Sequence, residues 1–212
     1  MSDLLQDRIA AGLGIAARKL GVTADAYRPR DATPALAPRN RYMRLPVAFH
    51  IGKGFDAPAT QGAPLWQALL DSAYTKPGDY LVQGSETWFI ASQPRLLPVL
   101  CVQANRIVNF TRAAVPDRVG QNAYAGMQRE AHRPLLTGWP ASVLATGAAR
   151  TAQAHLPADL PAAQWTVLLP ILPQVILRAG DRMTDDLGRA GIVISADQTA
   201  QGWRLTVREA TS

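Results

Sequence analysis

The sequence predicts a mainly β protein: one or two small antiparallel β-barrel or sandwich modules, preceded by an N-terminal helix and an extended arm. Three observations carry this. Short apolar runs recur from Arg44 onward, with Pro, Gly or Asn at most of their joints, as closely spaced antiparallel strands require. The first twenty residues have a helical apolar spacing instead. Between the two lies a segment holding Pro29, Pro34 and Pro38, which excludes regular helix.

Taken in order, residues 2–20 read as a helix. Ser2 can cap its start, Asp3 suits the positive end of its dipole, and Arg18 and Lys19 suit the last turn before Gly21. Leu5, Ile9, Leu13, Ala16 and Leu20 form the expected apolar stripe. Gly12 and Gly14 weaken this helix, so they imply either close packing or a helix that forms on docking. Residues 21–43 are expected to be extended, an arm long enough to cross to a neighbouring subunit. Leu45–Ile51 reads as a strand, 52–63 as a Gly/Pro/Ala loop, and Pro64–Ala73 as a short helix bearing Leu65, Trp66, Leu69 and Leu70. Strands are expected at Asp79–Val82, Thr87–Ala91, Val99–Gln103 and Arg106–Thr111. Residues 113–163, rich in Ala, Gly and Pro, read as an irregular connection. A second strand set follows at Trp165–Leu169, Val175–Arg178, Arg182–Thr184, Gly191–Ser195 and Trp203–Arg208. The domain division is therefore 1–43 for the helix and arm, 44–112 for the first β module, 113–163 for the connection and 164–212 for the second β module.

Composition narrows the function classes. A chain of 212 residues with 48% hydrophobic and 18% charged content can bury a sizeable core and is not disordered overall. One cysteine, Cys101, excludes an intramolecular disulfide and an all-cysteine metal site, and its apolar strand marks it as a buried thiol. No apolar run is long enough to span a bilayer, and no signal peptide is expected, so the expected setting is a soluble protein in a reducing compartment, with no membrane partner. The net charge of +6 is carried mostly by Arg, and residues 1–53 hold nine Lys/Arg against four Asp. Arg28, Arg30, Arg39, Arg41 and Arg44 are the candidate interface or phosphate contacts, since the guanidinium fork binds carboxylate and phosphate bidentately. A solvated loop is the plain alternative.

Chemistry is thinly represented. His50, His132 and His155 are not spaced with one another, or with Cys or carboxylates, as metal ligands would be, and no serine lies in a nucleophile elbow. Gly12–Gly14 and Gly52–Gly54 lack the context of a dinucleotide site. Asp79, Asp181, Asp185 and Asp186 can in principle do acid–base work or hold a hard cation, but they fall where turns are expected. No catalytic residue, cofactor or metal site is therefore assigned. Trp88, Trp165 and Trp203 read as core.

The two strand sets share a frame. Pro77-Gly78-Asp79-Tyr80-Leu81, then Gly84, then Trp88-Phe89-Ile90-Ala91 parallels Ala179-Gly180-Asp181-Arg182-Met183, then Gly188, then Gly191-Ile192-Val193-Ile194-Ser195. Each copy reads as a β-hairpin entered through Gly-Asp, and each is expected to end in an Arg-bearing strand, Arg106–Arg112 or Arg204–Arg208.

Residues 167–208, with Leu168-Leu169-Pro170, Val175–Arg182, Asp185-Asp186-Leu187-Gly188-Arg189 and Gly202-Trp203-Arg204-Leu205, resemble the small β-barrel of head–tail connector and head-closure proteins of tailed bacteriophages. Gly78–Leu81 through Asn105–Val108 resembles the same module, and Ala16–Gly21 into Tyr27-Arg28-Pro29 resembles virion proteins encoded near phage structural genes. The second module, the helix and the arm depart from the usual single barrel. The resemblance implies a non-enzymatic structural protein of a virion, assembled in the host cytoplasm as an oligomeric ring around a DNA channel. Its expected partners are further copies of itself, portal, adaptor or other virion proteins, and packaged DNA. A basic β-barrel that binds nucleic acid is the alternative. A dispersed hydrolase site around His50, His132 or Asp185-Asp186 is the remaining one.

Overall fold

A computed structural model describes residues 2–50, 64–113, 132–145, 163–172 and 174–210. Among these residues it is mainly β, as expected, with one α-helix, α1 (Ser2–Leu20), and twelve strands. The first six are β1 (Val22–Tyr27), β2 (Arg41–His50), β3 (Leu65–Leu69), β4 (Tyr80–Gln83), β5 (Glu86–Ser92) and β6 (Val99–Ala104). They close into an antiparallel barrel in the order β1-β2-β3-β6-β5-β4. The other six are β7 (Arg106–Ala113), β8 (His132–Ala145), β9 (Gln164–Leu169), β10 (Arg182–Asp185), β11 (Ala190–Thr199) and β12 (Gly202–Glu209). They close in the order β7-β8-β9-β12-β11-β10. Strand for strand, the second order is the first, so the two barrels share one topology. Closure leaves neither barrel an unpaired edge.

Several expectations are corrected. Val22–Tyr27 is not arm but a strand, pairing with β2 on one side and β4 on the other, with Ala24 and Ala26 turned inward. Pro64–Ala73 is not a helix: it holds β3, paired with β2 and β6. Arg106–Thr111 opens the second barrel instead of closing the first, so the boundary between modules falls at Asn105 and not after residue 112. The segment 113–163 contains β8, whose Pro134 and Pro140 sit in a ladder interrupted by bulges, where a missing N–H is tolerated. Val175–Arg178 is irregular. The proposed loop 52–63 lies outside the described residues.

The interior of the first barrel is filled by Trp88, Leu81, Ile90, Leu45, Val47, Leu70, Val99 and Cys101, and room for Trp88 comes from Ala24, Ala26 and Ala68. The second barrel inverts that arrangement. Gly191 stands where Trp88 stands in the shared hairpin frame, and Val108, Phe110 and Val167 replace the three alanines. A Cβ on Gly191 would lie 2.5 Å from Val207 Cγ1. Small barrels are filled by side chains, so a large residue on one strand requires small ones opposite.

Helix α1 packs on β2, β3 and the short turn at Ser72–Tyr74. Its buried line is Ala10, Gly14 and Ala17, so Leu5 and Leu20 of the expected stripe are exposed. The reason is close approach: a Cβ on Gly14 would meet Asp71 Cβ at 2.9 Å, and one on Gly21 would meet the Val47 carbonyl oxygen at 2.3 Å. Gly21→Ala is therefore expected to lift the end of the helix from β2, at about 2 kcal/mol. Faster amide exchange across Ala10–Ala17, with the strands unchanged, checks it.

The barrels are joined by one residue, Asn105, between β6 and β7. Its side chain donates to the Val143 carbonyl (3.0 Å) and accepts from the Val143 N–H (2.8 Å), while its own N–H donates to the Ala141 carbonyl (3.0 Å). Residues 28–40 are not an extended arm; they fold over the second barrel. Trp139 Nε1 donates to the Thr33 carbonyl (2.9 Å), Thr137 N–H to the Ala32 carbonyl (3.0 Å), and Ala35 is fully buried. One buried apolar cluster spans both barrels, with Tyr80, Phe89, Ala91 and Val102 of the first among the interior residues of the second.

Candidate functional site

The shared frame proves to be a shared structural device. In the first barrel Gly78 donates to the Ile90 carbonyl (2.9 Å), Ile90 donates to the Asp79 carbonyl (2.8 Å), and Gly78 has φ +95°. In the second, Gly180 donates to the Val193 carbonyl (2.9 Å), Val193 donates to the Asp181 carbonyl (2.9 Å), and Gly180 has φ +91°. The left-handed conformation suits glycine, which explains Gly-Asp at the start of both hairpins.

Each aspartate is buried and clasped by an arginine from the C-terminal end of its barrel's first strand: Arg28 directly follows β1, and Arg112 lies within β7. Arg28 donates from Nε (2.8 Å) and Nη2 (2.7 Å) to the two oxygens of Asp79, and Nη2 also reaches the Tyr74 carbonyl (3.2 Å). Arg112 donates from Nε (2.7 Å) and Nη2 (3.0 Å) to Asp181, and Nη2 reaches the Ile176 carbonyl (2.9 Å). The backbone N–H of Lys76 donates to Asp79 (2.9 Å), and that of Arg178 to Asp181 (2.8 Å). The first clasp adds the Tyr42 hydroxyl, which donates to Asp79 (2.8 Å), with the Arg28 guanidinium lying over the Tyr42 ring. The aspartate bonds raise the pKa of both arginines despite burial, and burial followed by the Asp79 charge raises that of Tyr42. These are structural anchors, bidentate and charge-assisted. Asp79 and Asp181 thus stand at turns, as expected, but buried and ion-paired, and Arg112 is a partner that sequence reasoning did not single out. The signal was the repeated Gly-Asp, which needs a cation once it is buried.

The candidate arginines are spread over different tasks. Arg28 is drawn into its clasp. Arg41 and Arg44 both bind Asp25 (2.7 Å each), holding that carboxyl below its ordinary range chiefly through the Arg44 hydrogen bond. Arg39 pairs with Asp31 (3.0 Å). Arg30 is exposed and has no ion pair among the described residues. The five are not gathered into one patch by a free arm; four are bound to aspartates of their own chain.

The other weighed groups find structural places. Cys101 lies inside the first barrel, where burial pushes its thiol pKa up, and Trp88, Trp165 and Trp203 are buried. His50 is exposed at the end of β2, and His155 lies outside the described residues. No three His, Cys, Asp or Glu side chains among the described residues cluster as a metal ion would need, and no described helix is long and apolar enough to cross a membrane. Asp185 closes the β10–β11 turn: it accepts from the Leu187 and Arg189 N–H groups (3.0 and 2.9 Å) and from Arg189 Nε (2.7 Å), while that guanidinium stacks on Trp165. Burial alone would raise its pKa, but these bonds outweigh it and hold the carboxyl below its ordinary 3.8. A depressed folded pKa contributes stability above the unfolded value and loses it as pH falls through the folded one. Asp185→Asn should therefore cost about 1.5 kcal/mol at neutral pH, and thermal melts of the two proteins should converge as pH falls below the ordinary value.

Among the described residues, two surfaces on the second barrel and its border are notable. A groove of about 520 Å³ runs between the barrels, lined by Phe89, Ala91, Val102, Leu168, Trp203 and Arg204 among others. The outer face of β10–β12 is open, with Ile192 and Ile194 among exposed Arg182, Arg204 and Arg208. None of these three arginines has an ion pair among the described residues. No family model, curated protein or solved structure matches the chain.

Proposed function

We propose that the chain is a non-enzymatic structural component of a tailed-phage virion, an oligomeric ring protein at the head–tail connector or tail. The observation that carries the reading is the doubled clasp. The Gly-Asp step on which the resemblance rests occurs twice, each time as the buried anchor of a closed barrel, in two barrels fused through one core. The polar machinery described above is spent on rigidity, as suits an assembly part with closed edges. Within this reading Arg30, together with the guanidinium donors that Arg39, Arg41 and Arg44 do not use on Asp31 and Asp25, meets carboxylates of neighbouring subunits or DNA phosphates, and Arg28 holds the fold. Negative-stain imaging of the purified chain, with immunogold labelling of the parent particle, tests it. A ring with a DNA-wide hole and label at the head–tail junction or tail is expected; an unlabelled particle overturns it.

A second reading, a nucleic-acid-binding barrel, is favoured by the sequence pI of about 10 and by open Arg182, Arg204 and Arg208 on one barrel face. It requires duplex binding that weakens steeply with salt; absence of any such binding removes it.

A further inference from the structure

Because the barrels share strand order and hairpin frame, each surface position of one has a counterpart on the other. On β5, Trp88 and Ile90 point into the first barrel, while Phe89 and Ala91 point outward into the cluster shared with the second. Tyr80 on β4 and Val102 on β6 are the cross-strand neighbours of Phe89. All four are at most 3% exposed, and Tyr80 fixes the joint by donating to the Pro140 carbonyl of β8 (2.7 Å). The counterparts on the second barrel are Ile192 and Ile194 on β11, with Arg182 on β10 and Arg208 on β12 as the cross-strand neighbours of Ile192. There the face is uncovered: Ile192 is 45% and Ile194 43% exposed. The second barrel thus carries, open, the face by which the first barrel holds it.

The receiving side repeats as well. On the second barrel it includes Pro140 of β8 and Leu168 of β9. Pro140 lies opposite Ile107 on β7 as Pro46 lies opposite Thr23 on β1, and the same alignment sets Leu168 against Leu69 of β3. On the first barrel, however, β2 and β3 carry α1. A further barrel joined by the same step would meet the outer side of that helix, where Leu4, Leu5, Ile15 and Leu20 are all more than half exposed. Two otherwise unexplained apolar surfaces, one at each side of the repeat, are therefore placed to meet when one chain follows another.

We infer that Ile192 and Ile194, rimmed by Arg182 and Arg208, dock on the outer side of α1 of a second copy of this chain, in a head-to-tail contact that repeats the internal joint. The inference rests on the assembly reading above and gives it a partner. Such a contact is heterologous, so every chain carries both halves, and repetition closes a ring or extends a filament. Arg182 and Arg208 stand where Tyr80 and Val102 stand in the joint. The contact between copies is more polar than the contact within one, as a face exposed before assembly requires.

Sedimentation velocity on the full chain tests this with two variants, Ile192→Glu/Ile194→Glu on the barrel and Leu4→Glu/Ile15→Glu on the helix. The wild type is expected to sediment as an oligomer and each variant as a single chain, with far-UV circular dichroism unchanged. An equimolar mixture of the two variants is expected to form a dimer and nothing larger, because each retains the half the other lacks. Ile192→Thr/Ile194→Thr keeps strand propensity and should weaken assembly in the same direction, which covers a misfolded glutamate variant. A wild type that stays monomeric at all concentrations overturns the inference, as does a mixture that stays monomeric. Assembly that survives in the barrel-face variants also overturns it, but leaves the assembly reading standing; that reading falls only with the particle labelling.

Discussion

Asp79→Ala should destabilise the protein by about 3 kcal/mol, and Asp181→Ala by nearly as much, because each removes the buried half of an ion pair whose other half cannot leave. Asp79 accepts from Arg28 twice, from Tyr42 and from the Lys76 N–H, and Asp181 accepts from Arg112 twice and from the Arg178 N–H. Each aspartate side chain is 1% exposed, whereas the arginines are about one-third exposed, so water recovers part of the loss on the cationic side. The additional Tyr42 bond makes the first clasp the costlier to break. Denaturant unfolding of the single variants measures both. Replacing both partners of the first clasp by apolar residues, Asp79→Leu with Arg28→Met, should cost less than Asp79→Ala alone, since no unpaired charge remains. With both aspartates removed the losses should add to about 6 kcal/mol, enough to unfold a marginally stable chain. A pair of variants in which only one clasp matters would show that the repeated geometry has lost its role in one barrel.

The parts of this fold that sequence reasoning reached are those where apolar alternation survives. The hairpins β4–β5 and β10–β11 and the last strand were legible through Gly-Asp, turn glycines and the Trp203, Leu205, Val207 alternation, and all three barrel features stand there. Two of the missed strands, β1 and β3, share one physical cause. Trp88 occupies the first barrel's interior, and its neighbours must be small, so β1 presents Ala24 and Ala26 inward and reads as linker. The same demand puts Ala68 inside on β3, leaving Leu65, Trp66 and Leu69 at a spacing that mimics a helix turn. Bulges in the β7–β8 ladder admit the prolines that hide β8. Likewise the segment around Arg28 looked free because its partners are distant in sequence: Asp79 accepts from Arg28, Trp139 donates to the Thr33 carbonyl, and the Gly138 carbonyl accepts from the Ala35 N–H. Local pattern carries the turn chemistry; it does not carry which strand will face a tryptophan.

Tyr80→Ala should cost about 4 kcal/mol, the range for emptying a buried aromatic site, and should do so by uncoupling the barrels. Tyr80 is fully buried, lies edge-on to Phe89 of its own barrel and to Trp139 of the other, and places its hydroxyl on the Pro140 carbonyl. Burial raises its pKa well above the ordinary range, so the phenol stays protonated and donates at every working pH. Tyr80→Phe keeps the ring contacts and loses only that bond, leaving the Pro140 carbonyl unsatisfied, at about 1.5 kcal/mol. The two variants therefore separate packing from hydrogen bonding at the joint. Because one core runs through both barrels, the wild type should melt in a single transition, whereas Tyr80→Ala should melt in two, its barrels held only by the loosened contacts of Phe89, Ala91 and Val102, by Asn105 and by the strap of residues 28–40. Calorimetry distinguishes these outcomes. A single transition at reduced temperature would mean that the strap and the remaining apolar contacts suffice to couple the barrels, and the position equivalent to Tyr80 on the second barrel, Arg182, would then carry little of any joint built on the same plan.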